Sequence, residues 1–279
     1  MRFAHFFLVW TLVLLLGACT KDSGPILVYD VKPEFDIRLS QRLSTNSEVQ
    51  VEIRTLQEYP SGYQIIANLT SENNRFELHI ERIEAPQGTP DPGQDTILRR
   101  IFELPPLGAG TYGFNVIIRN TIVNEGTLEI DAEQFRLSFV EAYGLSTDHY
   151  AVNRIPPQTF WGVAYVDSAY HYNFVNLFFN ELQAFAQPVQ NPRHGDYGYF
   201  VIGSNGEISL PFAPAQNSKS FYLQSDDPAY TIKIDSLLQY YKGLNVGFHG
   251  MVITTNGHIF FRQDTDNEPF LMWYREHFP

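Results

Sequence analysis

Cysteine is nearly absent: the 279-residue chain holds one, Cys19. A single thiol excludes an internal disulfide and a multi-thiolate metal site, so the fold must be held by packing alone. Basic residues are also scarce, 19 Lys and Arg against 31 Asp and Glu, for a formal charge of −12. A surface of that sign repels phosphate backbones, and no nucleic-acid partner is expected. The apolar run Phe6 to Leu16 falls short of the about 20 residues that span a bilayer as a helix. Reaction motifs are missing as well. There is no Gly-rich phosphate loop and no His-x-x-x-His or His-Glu-x-x-His spacing, and Gly203-Ser204-Asn205-Gly206 lacks the second spacer of a nucleophile elbow.

What is present begins with that apolar run, which follows Arg2 and ends in Leu16-Gly17-Ala18-Cys19. A short apolar segment closed by small residues predicts a secretory signal rather than a permanent span. Its end resembles the lipobox of bacterial lipoproteins. The resemblance implies that residues 1–18 are removed, that Cys19 becomes the acylated first residue, and that acyl chains hold the protein on a membrane, at about 0.8 kcal/mol per buried methylene. Removal takes away Arg2 and no acid, so the mature charge is −13. Thr20 stands where the inner-membrane retention signal of enterobacterial lipoproteins has Asp, and Lys21-Asp22 resembles the charged tract of Bacteroidota surface lipoproteins. Placement at the outer membrane or cell surface is implied.

The lipidated Cys and tether take residues 19–31, polar over Thr20 to Gly24, and short strands are expected from Ile26 on, at Ile26 to Tyr29, Phe35 to Leu39, Glu48 to Ile53, Tyr63 to Leu69, Arg75 to Ile83, Ile97 to Leu104, Thr111 to Arg119 and Thr127 to Ile130. Several alternate apolar and polar residues, the period of a strand with one buried and one wet face. Pro60-Ser61-Gly62, Pro90 to Gly93 and Asn124-Glu125-Gly126 mark turns between them. This number of strands predicts an immunoglobulin-like β-sandwich over residues 32–134. Leu107 to Tyr112 resembles the Leu-x-x-Gly-x-Tyr motif of bacterial Ig-like domains, which implies a spacer or presentation module.

Composition then changes. Four of the 41 Phe, Tyr and Trp residues fall in 1–18, eight in 19–134, and the other 29 in 135–279. The second part is expected to be an α+β domain of two helix-plus-hairpin units sharing one sheet. Its first helix is read over Asn173 to Ala186, and its second opens at an Asp235 cap and stops at Gly243. Asn205-Gly206 and Asn256-Gly257 predict the two hairpins.

Tyr and Trp carry a flat apolar face and a polar edge, and such residues suit binding surfaces for proteins or sugars. Trp161, Tyr165, Tyr197, Tyr199, Trp273 and Tyr274 are the candidate binding residues, for a glycan or an envelope protein. The competing reading is a hydrolase or metal-dependent enzyme built on His194 and His249 with Asp196 orienting an imidazole. Without ligand spacing, a non-catalytic envelope lipoprotein is the favoured reading, and neither metal nor cofactor is expected. Asp264 to Glu268 lacks the turn-making Gly of a calcium loop, since Pro269 stands there. Asp95-Thr96-Ile97, Asp167-Ser168-Ala169 and Asp235-Ser236-Leu237 resemble the Bacteroidota O-glycan acceptor. If Cys19 is the acylated residue, Cys19→Ala should accumulate as an unprocessed precursor on immunoblots. A normally processed, membrane-bound Cys19→Ala protein would remove the anchor assignment.

Overall fold

A computed structural model describes residues 31–44, 48–87, 95–146, 150–213 and 216–262. The signal segment, Cys19, Ile26 to Tyr29, Pro90 to Gly93, Asp264 to Glu268, Trp273 and Tyr274 lie outside the described residues. The chain is mainly β, with several sheets and, among the described residues, two α-helices.

Among the described residues, eleven strands make the first part: β1 (Phe35–Gln41), β2 (Val49–Tyr59), β3 (Gln64–Glu72), β4 (Arg75–Glu84), β5 (Thr96–Glu103), β6 (Gly110–Ile118), β7 (Ile122–Asn124), β8 (Gly126–Ile130), β9 (Gln134–Phe139), β10 (Leu145–Ser146) and β11 (Ala151–Asn153). They form two sheets, ordered β10-β1-β2-β5 and β11-β9-β8-β6-β4-β3, with β7 beside β6. Alternation decides which side chains meet. Ile37, Leu39, Val51 and Ile53 of one sheet share a single core with Leu78, Ile80, Phe114 and Leu128 of the other. Most pairs are antiparallel, but β1–β10 and β4–β6 run parallel. A two-residue loop, Asn73-Asn74, joins β3 to β4 with φ of 49° and 63°, the left-handed backbone that a tight hairpin needs and Asn tolerates. The change in aromatic content near residue 134 falls at the start of β9. The sheets continue to Asn153 because Phe135, Leu137, Leu145 and Val152 fill the same core.

The later elements are β12 (Thr159–Val166), α1 (Tyr172–Leu182), β13 (Gln187–Pro188), β14 (Gly195–Asp196), β15 (Val201–Ile202), β16 (Ile208–Ser209), β17 (Ser218–Gln224), α2 (Tyr230–Gly243), β18 (Phe248–Thr254) and β19 (Ile259–Arg262). One antiparallel sheet, β13-β17-β12-β18-β19, separates two cores. Phe160, Ala164 and Val166 of β12 face the helices, where Val175, Phe178, Ile234 and Leu238 meet them. Trp161 and Val163 face the other way, against Tyr199, Phe200 and Ile202.

The two predicted units do not share this sheet. Asn256-Gly257 does turn β18 into β19, with Gly257 at φ 84° and its N–H donating to Thr254 O at 3.0 Å. The Asn205-Gly206 hairpin instead belongs to a separate three-stranded sheet, β14-β15-β16, because its aromatics cover the second core rather than extend an edge. Asp235 lies inside α2, which starts five residues earlier at Tyr230. Its turn is set by Asp227, whose carboxylate accepts from Ala229 N at 2.8 Å and whose carbonyl accepts from Tyr230 N at 3.1 Å. Asn173 likewise sits within α1, whose N-terminal flank is His171.

The first sheet pair and the later part meet at Gln41. Its buried amide donates to Ile155 O at 3.1 Å and accepts from Ile155 N at 2.8 Å, imitating a strand pair. Among the described residues no helix is long and apolar enough to cross a membrane.

Gly162 marks the tightest point. A Cβ there would stand 1.9 Å from the backbone oxygen of Met251 on β18. Gly162→Ala should therefore cost about 3 kcal/mol or more in denaturant melts, through overpacking against an immobile neighbour. Gly243→Ala, in open space at the end of α2, should be neutral or slightly stabilising. Equal stability of the two variants would refute this account of β12.

Candidate functional site

The structure spends most of the predicted binding aromatics on packing. Trp161 is fully buried, 5.1 Å from the Phe200 ring and 5.8 Å from that of Tyr199. Tyr197 stacks on Phe200 at 4.7 Å and donates its hydroxyl hydrogen to Arg193 O at 3.0 Å. Tyr199 donates to Gln41 O at 2.7 Å, so it serves the joint between the two parts. Burial, with a smaller contribution from the Glu52 charge, pushes its hydroxyl well above the ordinary tyrosine value. Tyr165 is half-buried and lies flat on His249, ring centroids 4.7 Å apart. These four residues therefore do not form an open aromatic patch. Their polar tips find backbone or stay inside, because the sheet's second face needs large rings to close it.

Nor does the alternative His-Asp set converge. His194 is exposed and its carbonyl accepts from Asn153 Nδ2 at 3.1 Å. The Asp196 carboxylate holds the N–H of Gly198 at 2.7 Å, a local turn. His249, 2% exposed, meets a different acid: its Nε2 lies 2.9 Å from Asp167 Oδ1. Its Nδ1 is sealed from solvent and without a hydrogen-bond partner. A nitrogen sealed from solvent has no route to a substrate proton. Gly247, with φ 64°, makes room for the acid, since a Cβ there would come 2.6 Å from Asp167 Oδ2. Asp167 and His249 are 82 positions apart, and nothing in either local sequence announces the pair. Among the described residues no group of three or more His, Cys, Asp or Glu side chains is arranged to hold a metal ion.

A wider opening than the Asp167–His249 pair offers lies between β17 and the small sheet. It is a groove of about 890 Å³, toward the upper end of the range for ligand sites. Its formation follows from two local features. β13 ends at Pro188, and Val189 N makes a last bond to Tyr222 O at 3.3 Å, so β13 pairs only with Gln224 and Leu223. From Phe221 back to Lys219, β17 has β12 on one side and the groove on the other. The far lip is the Gly203 to Glu207 turn, closed by Gly203 N to Glu207 O at 2.8 Å and by Gly206 at φ 80°.

The groove mixes Val189, Val201 and Ile208 with Asn205, Glu207 and Ser220. Lys219 reaches along its wall and sets Nζ 3.7 Å from the centre of the Phe179 ring, a cation–π contact of about 0.5–1 kcal/mol when exposed. Because Tyr222 O points toward β13, residues of the same parity turn their backbone groups outward. Ser220 is one of them, so its N–H and C=O face the opening.

If Tyr199 is structural, Tyr199→Phe should lower stability by about 1 kcal/mol through loss of the bond to Gln41 O. Its raised value also predicts a pH dependence. The buried hydroxyl stays neutral in the native state while the unfolded one ionises near pH 10, so its stabilisation is present below that value and declines above it. Urea melts between pH 8 and 11 should show a shallower decline for Tyr199→Phe than for wild type, and equal slopes would contradict it. No protein-family model, curated protein or solved structure matches the chain.

Proposed function

We propose that the chain is a lipid-anchored protein of the bacterial envelope, at the outer membrane or cell surface, that binds a partner rather than catalysing a reaction. The observation that carries this reading is the groove beside β17, where a strand edge unpaired among the described residues meets a wall of mixed polarity. An exposed edge supplies main-chain donors and acceptors to an extended polypeptide, and alternate side chains then read the walls. For this groove a protein partner is favoured over a glycan. His194, Asp196 and His249 work on backbone, on a turn and on Asp167 respectively, which is what a scaffold asks of them.

In the same reading Cys19 is acylated, and β1 to β11 are an immunoglobulin-like sandwich that holds the groove away from the membrane. Two features support the sandwich: one core between two sheets, and the Tyr112 hydroxyl donating to Gly108 O at 3.0 Å, a tie like that of a tyrosine corner. The parallel β4–β6 pair departs from the antiparallel pattern of that fold.

The test uses the strand edge itself. Ser220→Pro removes the outward N–H, whereas Ser220→Ala keeps it. Partner captured from envelope extract should be retained by Ser220→Ala and lost from Ser220→Pro at an unchanged melting temperature. Equal capture by both variants and wild type would move the site elsewhere.

A further inference from the structure

We propose a second binding site, for a neutral saccharide, in a dent on the outer face of the larger sheet of the first part. The dent holds about 310 Å³, at the lower end of the range for ligand sites. One row of residues crosses it. Arg75 of β4 pairs with Gly113 of β6, Gly113 with Thr127 of β8, and Thr127 with Ser138 of β9. Their neighbours Phe76, Phe114, Leu128 and Leu137 are buried in the core, so this row faces outward.

Gly113 opens the row, because it has no side chain. A Cβ there would press on Arg75 at 3.3 Å from both Cγ and Nε. Gly126 lies on the opposite, core face with Leu128: a Cβ there would meet Ser138 O at 2.5 Å and the Phe139 ring at 2.6 Å, so β8 can approach β9 this closely only through glycine. Asn115, two residues beyond Gly113 and on the same face, is 9% exposed and still lines the dent.

Two polar side chains of this dent are idle. Arg42, Arg82, Arg119, Arg136 and Arg193 each meet a carboxylate. Among the described residues, the exposed Arg75 and the largely buried Asn115 have side chains with neither an ion pair nor a hydrogen bond to protein. The Asn115 amide reaches the dent without a protein partner, so its donors and its acceptor are open to a ligand there.

The chemistry of the lining selects the ligand class. Arg75 offers donors only, Asn115 a donor pair and an acceptor, and Glu125 acceptors only. Thr127 and Ser138 share one hydrogen bond at 2.9 Å and keep further capacity for either role. A carboxylate can only accept, and either a carboxylate or a phosphate would face the Glu125 charge. A sugar hydroxyl both donates and accepts, so adjacent hydroxyls satisfy the whole set. Val140, 84% exposed just past the end of β9, supplies an apolar edge for the ring's C–H surface.

The experiment titrates the full chain in detergent with methyl glycosides of neutral hexoses and N-acetylhexosamines. Acetate, glucuronate and inorganic phosphate serve as anion probes, and saturation-transfer NMR with calorimetry gives the readout. At least one neutral glycoside should bind, with affinity falling about tenfold, or 1.4 kcal/mol, in Arg75→Met and in Asn115→Ala. Arg82→Met, on the same strand but already paired with Glu84, should bind as wild type, and so should Ser220→Pro, which separates this site from the β17 groove. Thermal melts confirm that the variants fold. The proposal is overturned if no neutral glycoside binds, if only the anions bind, or if binding survives both dent substitutions.

Discussion

Strand β12 has no wet face, and the later part of the chain is built around that constraint. Both sides of Thr159–Val166 must be covered, so one face takes the helices and the other takes the aromatic layer around Trp161. Partial cover would leave large apolar area in water at about 25 cal/mol per Å². Gly162 then lets β18 come close enough to complete the sheet. The small three-stranded sheet exists because the second face needs a lid. Its Tyr199 also reaches the first part, where Gln41 accepts it.

Polar contacts at that joint serve geometry more than net energy. Gln41 gives Ile155 both halves of a strand pair, and Tyr199 uses the remaining carbonyl. Each bond contributes about 1 kcal/mol, yet leaving any of these groups buried and unpaired would cost more. Thus the contact specifies one arrangement of the two parts. Asp167 and His249 act in the same way within the later part, together with His171, whose Nδ1 lies 2.7 Å from Val246 O. Three side chains from two segments thereby fix the approach to β18.

Openings arise where this covering stops. Proline ends β13 early and exposes the β17 edge, while glycine at 113 hollows the outer face of the larger sheet. Natural sheets usually blunt free edges with charge, proline or cover. Here Lys219 lies on the edge but turns its amine onto Phe179, which leaves the backbone beside it open. The two openings also differ in chemistry. One presents main-chain groups and apolar walls, the other idle polar side chains.

Alternation in the first part was legible without coordinates, because a strand with one wet face writes its period into the residues. The expected strands from Phe35 to Ile130 therefore coincide closely with β1 to β6 and β8, and Asn256-Gly257 turned the chain where its backbone preference requires. The start of α2 was not legible. Asp235 looks like a cap, but packing of Tyr230 and Ile234 begins the helix earlier, over a turn held by Asp227. Aromatic surplus was visible, yet whether a ring lies in a core or on a surface depends on what covers the sheet, and Trp161, Tyr197 and Tyr199 proved to be cover. Partner choice was equally hidden. His249 found Asp167 rather than Asp196, and Arg75 found nothing, because such distances are set only after strands far apart in sequence are brought into register. Local periodicity and turn chemistry are properties of neighbouring residues, so the sequence by itself determined the strands; which faces meet, and which edges stay open, only the tertiary structure decided.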